Sequence, residues 1–257
     1  MRRILSFIPV DFSEYREPLL GGGSVFIALK QLHPNATYRI NDLNHDLYCF
    51  WVNLKNNPDD LISAIIQVRN DFKEGRKLYE KLAPDDISDG FCRAVRFYVL
   101  NRITYSGTVD CGGYSSQAFE RRFTMSGIEK LGPLSDLLQD VKITNESYEN
   151  LLYEDGENVF IYLDPPYWKS RKSKLYGRNG DLHTSFDHEK FSEDAGKCRH
   201  RWLITYDDSD MIRALFAFAN IYPWEVQYGM SNANGRKARK GREIFLTNYV
   251  SSKTSGN

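Results

Sequence analysis

Val159-Phe160-Ile161-Tyr162-Leu163-Asp164-Pro165-Pro166-Tyr167 joins an apolar, β-branched and aromatic run to a carboxylate, two prolines and an aromatic ring. The run reads as a buried strand. The two prolines stop the sheet and keep the backbone extended. A carboxylate, a proline carbonyl held nearly still and an aromatic face then stand at the carboxyl end of a strand, where open α/β sheets bind ligands. Asp164 and the Pro165 carbonyl can accept the two N–H bonds of an –NH2 group, and Tyr167 can stack on the ring that carries it. The same residues also describe a strand ending in a stiff turn, so the motif takes its meaning from the rest of the chain.

Working outward, residues 15–50 read as strand, glycine turn, helix and strand. Tyr15-Arg16-Glu17-Pro18 leads into Leu19-Leu20, and Gly21-Gly22-Gly23 then lets backbone approach a ligand closely, since no Cβ intervenes. Ser24 is expected as the N-cap of a helix carrying Val25, Phe26 and Leu29. Thr37-Tyr38-Arg39-Ile40 is a short strand closing on Asn41-Asp42, about 20 residues beyond the glycines, where an acid can take the hydroxyls of a ribose. Phe26 stands where a third dinucleotide glycine would fall, which favours an adenosine ligand without a pyrophosphate. A tight turn alone would also account for the glycines.

Between residues 46 and 140 apolar residues recur at helical spacing, as in Leu61, Ile65 and Ile66 and again in Phe91, Val95, Tyr98 and Val99. This stretch reads as a mainly helical insertion ending in a loop with Gly107, Gly112 and Gly113. Strands return at Val141–Thr144, Val159–Leu163 and Trp202–Tyr206. A helix Ser209–Ala219 and a closing antiparallel pair, Glu225–Tyr228 with Glu243–Thr247, follow. The polar tail 251–257 is expected to be disordered.

Lys plus Arg balance Asp plus Glu at 34 each, so net charge points to no partner, but basic residues cluster at Lys169, Arg171, Lys172, Lys174 and Arg178 and again at 236–242. Such segments are either solvated loops or grips for phosphate beside a site. Cys49, Cys92, Cys111 and Cys198 form no Cys-x-x-Cys pair, and His33, His45, His183, His188 and His200 form no ligand pattern, so no metal site is expected. No apolar run reaches the length of a membrane span, and the segment after Met1-Arg2-Arg3-Ile4 is too short for a signal peptide. A cytoplasmic location is expected.

In this order, Glu17-Pro18-Leu19-Leu20-Gly21-Gly22-Gly23, Asn41-Asp42 and Tyr162-Leu163-Asp164-Pro165-Pro166-Tyr167 resemble the Dam-like DNA adenine methyltransferases. The resemblance runs from about Ile4 to Tyr249 and includes Phe97–Arg102, Arg122-Phe123-Thr124, Trp202–Ser209 and Arg242–Tyr249. It implies an α/β fold: a Rossmann-like S-adenosylmethionine-dependent methyltransferase sheet with helices on both faces and a mainly helical inserted recognition subdomain. Residues 1–50 and 135–250 would be catalytic and 51–134 would recognise the target.

The activity implied is methyl transfer from S-adenosylmethionine to adenine N6 in duplex DNA. Asp164, Pro165, Pro166 and Tyr167 would be catalytic, and Glu17, Pro18, Leu19, Gly21, Gly22, Gly23, Asp42, Leu43, Ser147, Tyr148 and Asp164 would hold the cofactor. Arg102, Arg121, Arg122, Lys169, Arg171, Lys172 and Lys174 would face DNA. The N6 lone pair is delocalised into the ring, so two acceptors on the amino group would favour a pyramidal nitrogen aimed at the methyl donor. The base would flip out of the duplex and stack on Tyr167. A monomer with a cognate restriction endonuclease as a partner is expected.

Two departures accompany the resemblance. Family members usually begin with a Lys-Trp-x-Gly-Gly-Lys element that this chain lacks, and Ser147-Tyr148 beside Glu146 stands where an Asp-Phe or Asp-Tyr pair is usual. A catalytically impaired DNA-binding relative is therefore one alternative. A methyltransferase for RNA or a protein amide is another, although glutamine-modifying enzymes usually carry Asn at the place of Asp164 and the insertion argues for duplex DNA.

Overall fold

A computed structural model of the chain describes residues 1–84, 87–109, 111–168, 185–227 and 240–251. Among them, seven strands form one sheet: β1 (Glu14–Glu17), β2 (Thr37–Asn41), β3 (Lys142–Thr144), β4 (Val159–Leu163), β5 (Arg201–Asp207), β6 (Asn220–Gln227) and β7 (Lys240–Thr247). Their order is β3-β2-β1-β4-β5-β7-β6, parallel except for β7, which runs antiparallel to β5 and β6. The strand order reverses between β1 and β4. That is the topological switch point, where the carboxyl ends of two neighbouring strands open a crevice.

Every residue of β4 is buried, because helices cover both faces of the sheet. Tyr15, Tyr38, Ile40, Phe160, Tyr162, Leu203 and Phe245 belong to one core layer. Packed against them are residues of α1 (Arg2–Phe7), α2 (Ser24–Leu32), α3 (His45–Asn56), α4 (Pro58–Asp71), α5 (Gly75–Leu82), α6 (Gly90–Ile103), α7 (Ser116–Arg122), α8 (Met125–Glu129) and α9 (Leu131–Leu138). The alternate residues Ile161, Leu163, Trp202, Ile204, Tyr206, Ile244 and Leu246 face α10 (Tyr148–Tyr153), α11 (His188–Lys197) and α12 (Asp210–Leu215). Each fully buried Leu, Ile or Phe contributes roughly 1.5–3 kcal/mol.

β1 breaks the apolar pattern of a central strand, since Arg16 and Glu17 are both buried. Arg16 is tolerated because all three nitrogens of its guanidinium are hydrogen-bonded. It bonds the Glu14 carboxylate at 2.6 Å and donates to the carbonyls of Leu151, Glu154 and Asp155 at 2.9, 2.6 and 3.0 Å. A cation thus closes the carbonyl end of α10 and fixes it against β1. Within the helical stretch Arg96, also buried, donates to the Leu82 and Ala83 carbonyls at the end of α5 and to Asp46 at the start of α3.

Some boundaries differ from the sequence reading. Ser24 is the first helical residue of α2 rather than its cap; Gly23, at φ 63°, takes the N-cap position, and no side chain caps the helix. A left-handed turn there needs glycine, and a Cβ on Gly23 would meet the Trp51 ring at 3.1 Å. The helix expected over 209–219 is confined to Asp210–Leu215, capped by Ser209, and after a four-residue turn β6 begins at Asn220. Beyond Ser251, which is buried and donates its N–H to Tyr222 Oη at 3.2 Å, the expected tail lies outside the described residues. Among the described residues no helix is long and apolar enough to cross a membrane.

Candidate active site

Glu17, Asp42 and Asp164 stand at or just past the carboxyl ends of β1, β2 and β4, on either side of the switch point. Asn41, the buried last residue of β2, ties the strand ends together. Its amide nitrogen donates to the carbonyls of Pro18 and Glu146, both at 2.9 Å, and its amide oxygen accepts from Thr144 Oγ1 at 2.8 Å and Glu146 N–H at 2.9 Å. All four hydrogen-bonding positions of the amide are used. One side chain therefore fixes the loops after β1, β2 and β3 relative to one another.

Asp42 has a structural task beside the one read from the sequence. Its Oδ2 accepts the Gly21 N–H at 2.8 Å and its Oδ1 the Asn44 N–H at 2.9 Å, so it staples the glycine turn to β2. Each oxygen keeps a lone pair for a further donor. Burial raises the Asp42 pKa, and the two backbone N–H bonds oppose the rise. Gly21 lies at φ 51°, and a Cβ added at Gly21 or Gly22 would meet nothing within 4 Å. The turn therefore borders open space. Trp51 of α3 backs it, with Nε1 donating to the Gly21 carbonyl at 3.4 Å.

Glu17 is buried beneath this turn and accepts from Tyr15 Oη at 2.6 Å. Burial pushes its carboxyl up to about 8, against the Tyr15 bond and the Phe26 backbone N–H at the start of α2, with Asp164 and Asp42 adding to the rise. Glu17 is thus mostly protonated at neutral pH unless a cation sits beside it. Leu19 packs on the α11 side of the sheet, while Leu43 is exposed. Ser147 stands at the N-cap position of α10 but gives its hydroxyl to the Glu149 carboxylate rather than capping the helix, and Tyr148 Oη donates to Asp194 Oδ2 at 2.8 Å. Lys190 and Tyr153 converge on the same Asp194, at 2.6 and 2.7 Å.

Asp164 accepts the Thr205 hydroxyl through Oδ1 at 2.6 Å. No described residue donates to Asp164 Oδ2 or to the Pro165 carbonyl. The Asp164 side chain is open to solvent even though protein crowds around its carboxyl. Desolvation raises its pKa to about 6, the Thr205 bond lowers it, and Glu243 raises it again. The open side lets water stabilise the charge, so Asp164 is a carboxylate at neutral pH, with one oxygen held and one available. Pro165 is buried, Pro166 is half-buried, and the Tyr167 ring lies 6.2 Å from that of Tyr206.

Arg102 and Arg122 come together in the helical stretch. Arg102 lies over the Tyr98 ring, 5.1 Å from its centroid, and Arg122 donates to the Thr104 carbonyl. Burial and then the Arg102 charge lower the Arg122 pKa, which marks two cations held side by side. Neither forms an ion pair with a described carboxylate, and Arg102 Nε is buried without a hydrogen-bond partner. Arg121 is exposed. Lys169, Arg171, Lys172 and Lys174 lie outside the described residues. The sequence reading missed the parts of Thr205, Tyr162, Trp51 and Asp194. Thr205 sits in a segment whose resemblance was visible, but its approach to Asp164 depends on the β4–β5 register.

The model of one family, the D12 class N6 adenine-specific DNA methyltransferases, matches residues 1–230. The type II methyltransferase M.MjaIII of Methanocaldococcus jannaschii is 29% identical, over 93% of this chain and 89% of its own length. The type II methyltransferase M1.LlaDCHI of Lactococcus lactis subsp. cremoris is 25% identical, over 94% and 88%. A DNA adenine methylase of Salmonella typhi is 24% identical, over 89% and 84%.

Proposed function

The chain belongs to the D12 class N6 adenine-specific DNA methyltransferases, and from that premise we propose that Asp164 and the Pro165 carbonyl hold the adenine amino group while the loops after β1, β2 and β3 hold S-adenosylmethionine. When bound, S-adenosylmethionine supplies a methyl carbon made electrophilic by its sulfonium. The residues present suit it. The glycine turn borders open space, Asp42 keeps lone pairs for ribose hydroxyls, and Glu17 and Asp164 offer negative charge near a cation.

The observation that carries the proposal is the pair of unsatisfied acceptors. Asp164 Oδ2 and the Pro165 carbonyl stand at the switch point with no donor from any described residue. Two acceptors on one –NH2 draw its hydrogens to one side, which frees the nitrogen lone pair on the other for the methyl carbon. Tyr167 serves as the stacking surface for a base rotated out of duplex DNA. The excess proton leaves from the methylated nitrogen, and the Asp164 carboxylate is its nearest acceptor.

Residues 1–50 and 135–250 form the catalytic part in this reading, and the helical stretch 51–134 reads the target, with Arg102, Arg121 and Arg122 toward phosphate. The type II names of two relatives extend the proposal to a cognate restriction endonuclease acting beside a monomeric, cytoplasmic methyltransferase. Asp164→Ala tests the site. Methyl transfer to duplex DNA should disappear while S-adenosylmethionine still binds by titration calorimetry. A variant with near wild-type turnover would remove Asp164 from the mechanism.

A further inference from the structure

Asp164 has one oxygen engaged and one open, and the engaged oxygen leads back into the sheet. β4 and β5 run parallel with Leu163 opposite Ile204, so the next position sets Asp164 beside Thr205. Tyr162 pairs with Leu203, so Tyr162, Asp164 and Thr205 lie on the same face of the sheet. Thr205 Oγ1 donates to Asp164 Oδ1 at 2.6 Å, and Tyr162 Oη lies 3.2 Å from Thr205 Oγ1. The direction of that second bond follows from the first. A hydroxyl has one proton, and Thr205 gives it to the carboxylate, so Tyr162 must donate to Thr205.

We propose that Thr205 is a positioning residue for methyl transfer: held by Tyr162, it locks the Asp164 carboxylate by Oδ1 and so presents Oδ2 to the adenine amino group. The inference rests on the assignment of Asp164 as the amino-group acceptor. The torsion that turns an aspartate carboxylate is broad and nearly two-fold, so Asp164 has no intrinsic preference for one orientation. A charge-assisted bond to one oxygen supplies that preference before the base arrives. Thr205 and Tyr162 are both buried, so water cannot substitute for either hydroxyl.

The same bond keeps Asp164 charged in an acidic neighbourhood. Glu243 of β7 raises the Asp164 pKa, Asp164 in turn raises that of Glu17 on β1, Asp207 lies two residues beyond Thr205 on the same face, and the Tyr162 phenol is itself pushed up by burial. Against these, the Thr205 hydroxyl favours the carboxylate. Removing it should leave more of the enzyme with Asp164 protonated, as a donor where an acceptor is needed.

The test is methyl transfer from labelled S-adenosylmethionine to duplex DNA from a host without adenine methylation, as a function of pH, for wild type, Thr205→Val, Thr205→Ser, Tyr162→Phe and Asp164→Ala. Thr205→Val keeps the shape of the side chain and removes the hydroxyl. It should lower kcat by roughly 10- to 100-fold with KM for DNA and cofactor within about 3-fold, and move the acid limb of the rate profile up by about one pH unit. Thr205→Ser should restore kcat to within about 3-fold and return the limb to its place, which a merely structural loss would not do. Tyr162→Phe should lower kcat by roughly 2- to 10-fold with the same sign of pH shift, and it decides the matter if Thr205→Val does not fold. An inactive Asp164→Ala beside a Thr205→Val or Tyr162→Phe with wild-type kcat and an unmoved limb would overturn the inference and leave the Asp164 assignment standing. An active Asp164→Ala would overturn the assignment itself.

Discussion

Replacing Asn41 with leucine should loosen the cofactor side of the site and the fold together, because one amide joins three loops. The variant keeps the branched heavy-atom shape of the side chain and removes four hydrogen bonds. Their partners differ in what happens next. Glu146 is exposed and Thr144 half-buried, so water can replace the bonds to Glu146 N–H, the Glu146 carbonyl and Thr144 Oγ1. Each then loses about 0.5–1.5 kcal/mol. Pro18 is buried, so its carbonyl is left without a donor at a cost of about 1–3 kcal/mol. Summed with allowance for non-additivity, the loss is about 3–5 kcal/mol, a large part of the stability of an ordinary domain. Urea unfolding would show a lower midpoint with an unchanged m value. Titration calorimetry on the folded variant would show S-adenosylmethionine affinity reduced by roughly tenfold or more. A stability loss under about 1 kcal/mol with unchanged cofactor affinity would refute the claim that Asn41 sets these loops.

Asp42→Ala should weaken S-adenosylmethionine binding by roughly 10- to 100-fold, since it removes both the ribose acceptor and the staple on the Gly21 N–H, whereas Asp42→Asn should fall between it and wild type; calorimetry with equal affinities would assign Asp42 no binding role. Glu17 has a folded-state pKa of about 8 against an ordinary carboxyl value of 4.5, so the native state holds more protons than the unfolded one between those limits, and stability should fall as pH rises through that window. Glu17→Gln should flatten this decline, on the order of 3 kcal/mol in urea unfolding from pH 5 to 9, and an unaltered slope would show that Glu17 titrates normally. Arg102→Ala should weaken duplex DNA binding and shrink the slope of log affinity against log salt by about one, read by fluorescence anisotropy at several salt concentrations. An unchanged slope would put the phosphate contact elsewhere.

What was legible in the sequence was local. Val159–Tyr167 states a strand, a stop and its acceptors within nine consecutive residues, and the glycine turn with Asp42 is set by short-range geometry. The helical character of the stretch after residue 46 followed from the spacing of Leu61, Ile65, Val95 and Val99. What was hidden depended on register and on long-range partners. A strand was read at Tyr15–Glu17, but nothing in Glu14-Tyr15-Arg16-Glu17 announces that it lies buried beside the centre of the sheet, because Arg16 is satisfied by carbonyls about 135 residues away in sequence. Ser24 looked like a cap because its residue type suits that role, but the left-handed Gly23 took the position. Thr205 reads as one more β-branched strand residue until β4 and β5 are aligned. The cation pair Arg102 and Arg122 likewise needed the helices brought together, since the two are separated by a loop and a further helix.

The most direct test of the central claim is nucleoside analysis by mass spectrometry of unmethylated duplex DNA incubated with S-adenosylmethionine and either wild-type protein or Asp164→Ala. Wild type should yield N6-methyldeoxyadenosine and no methylated cytosine. Asp164→Ala should yield less by a factor of roughly 100 or more, as expected when an acceptor acting in the transition state is lost, while its cofactor affinity in calorimetry stays within about 3-fold of wild type. Methylation of another base, or equal yields of N6-methyldeoxyadenosine from both proteins, would contradict the account.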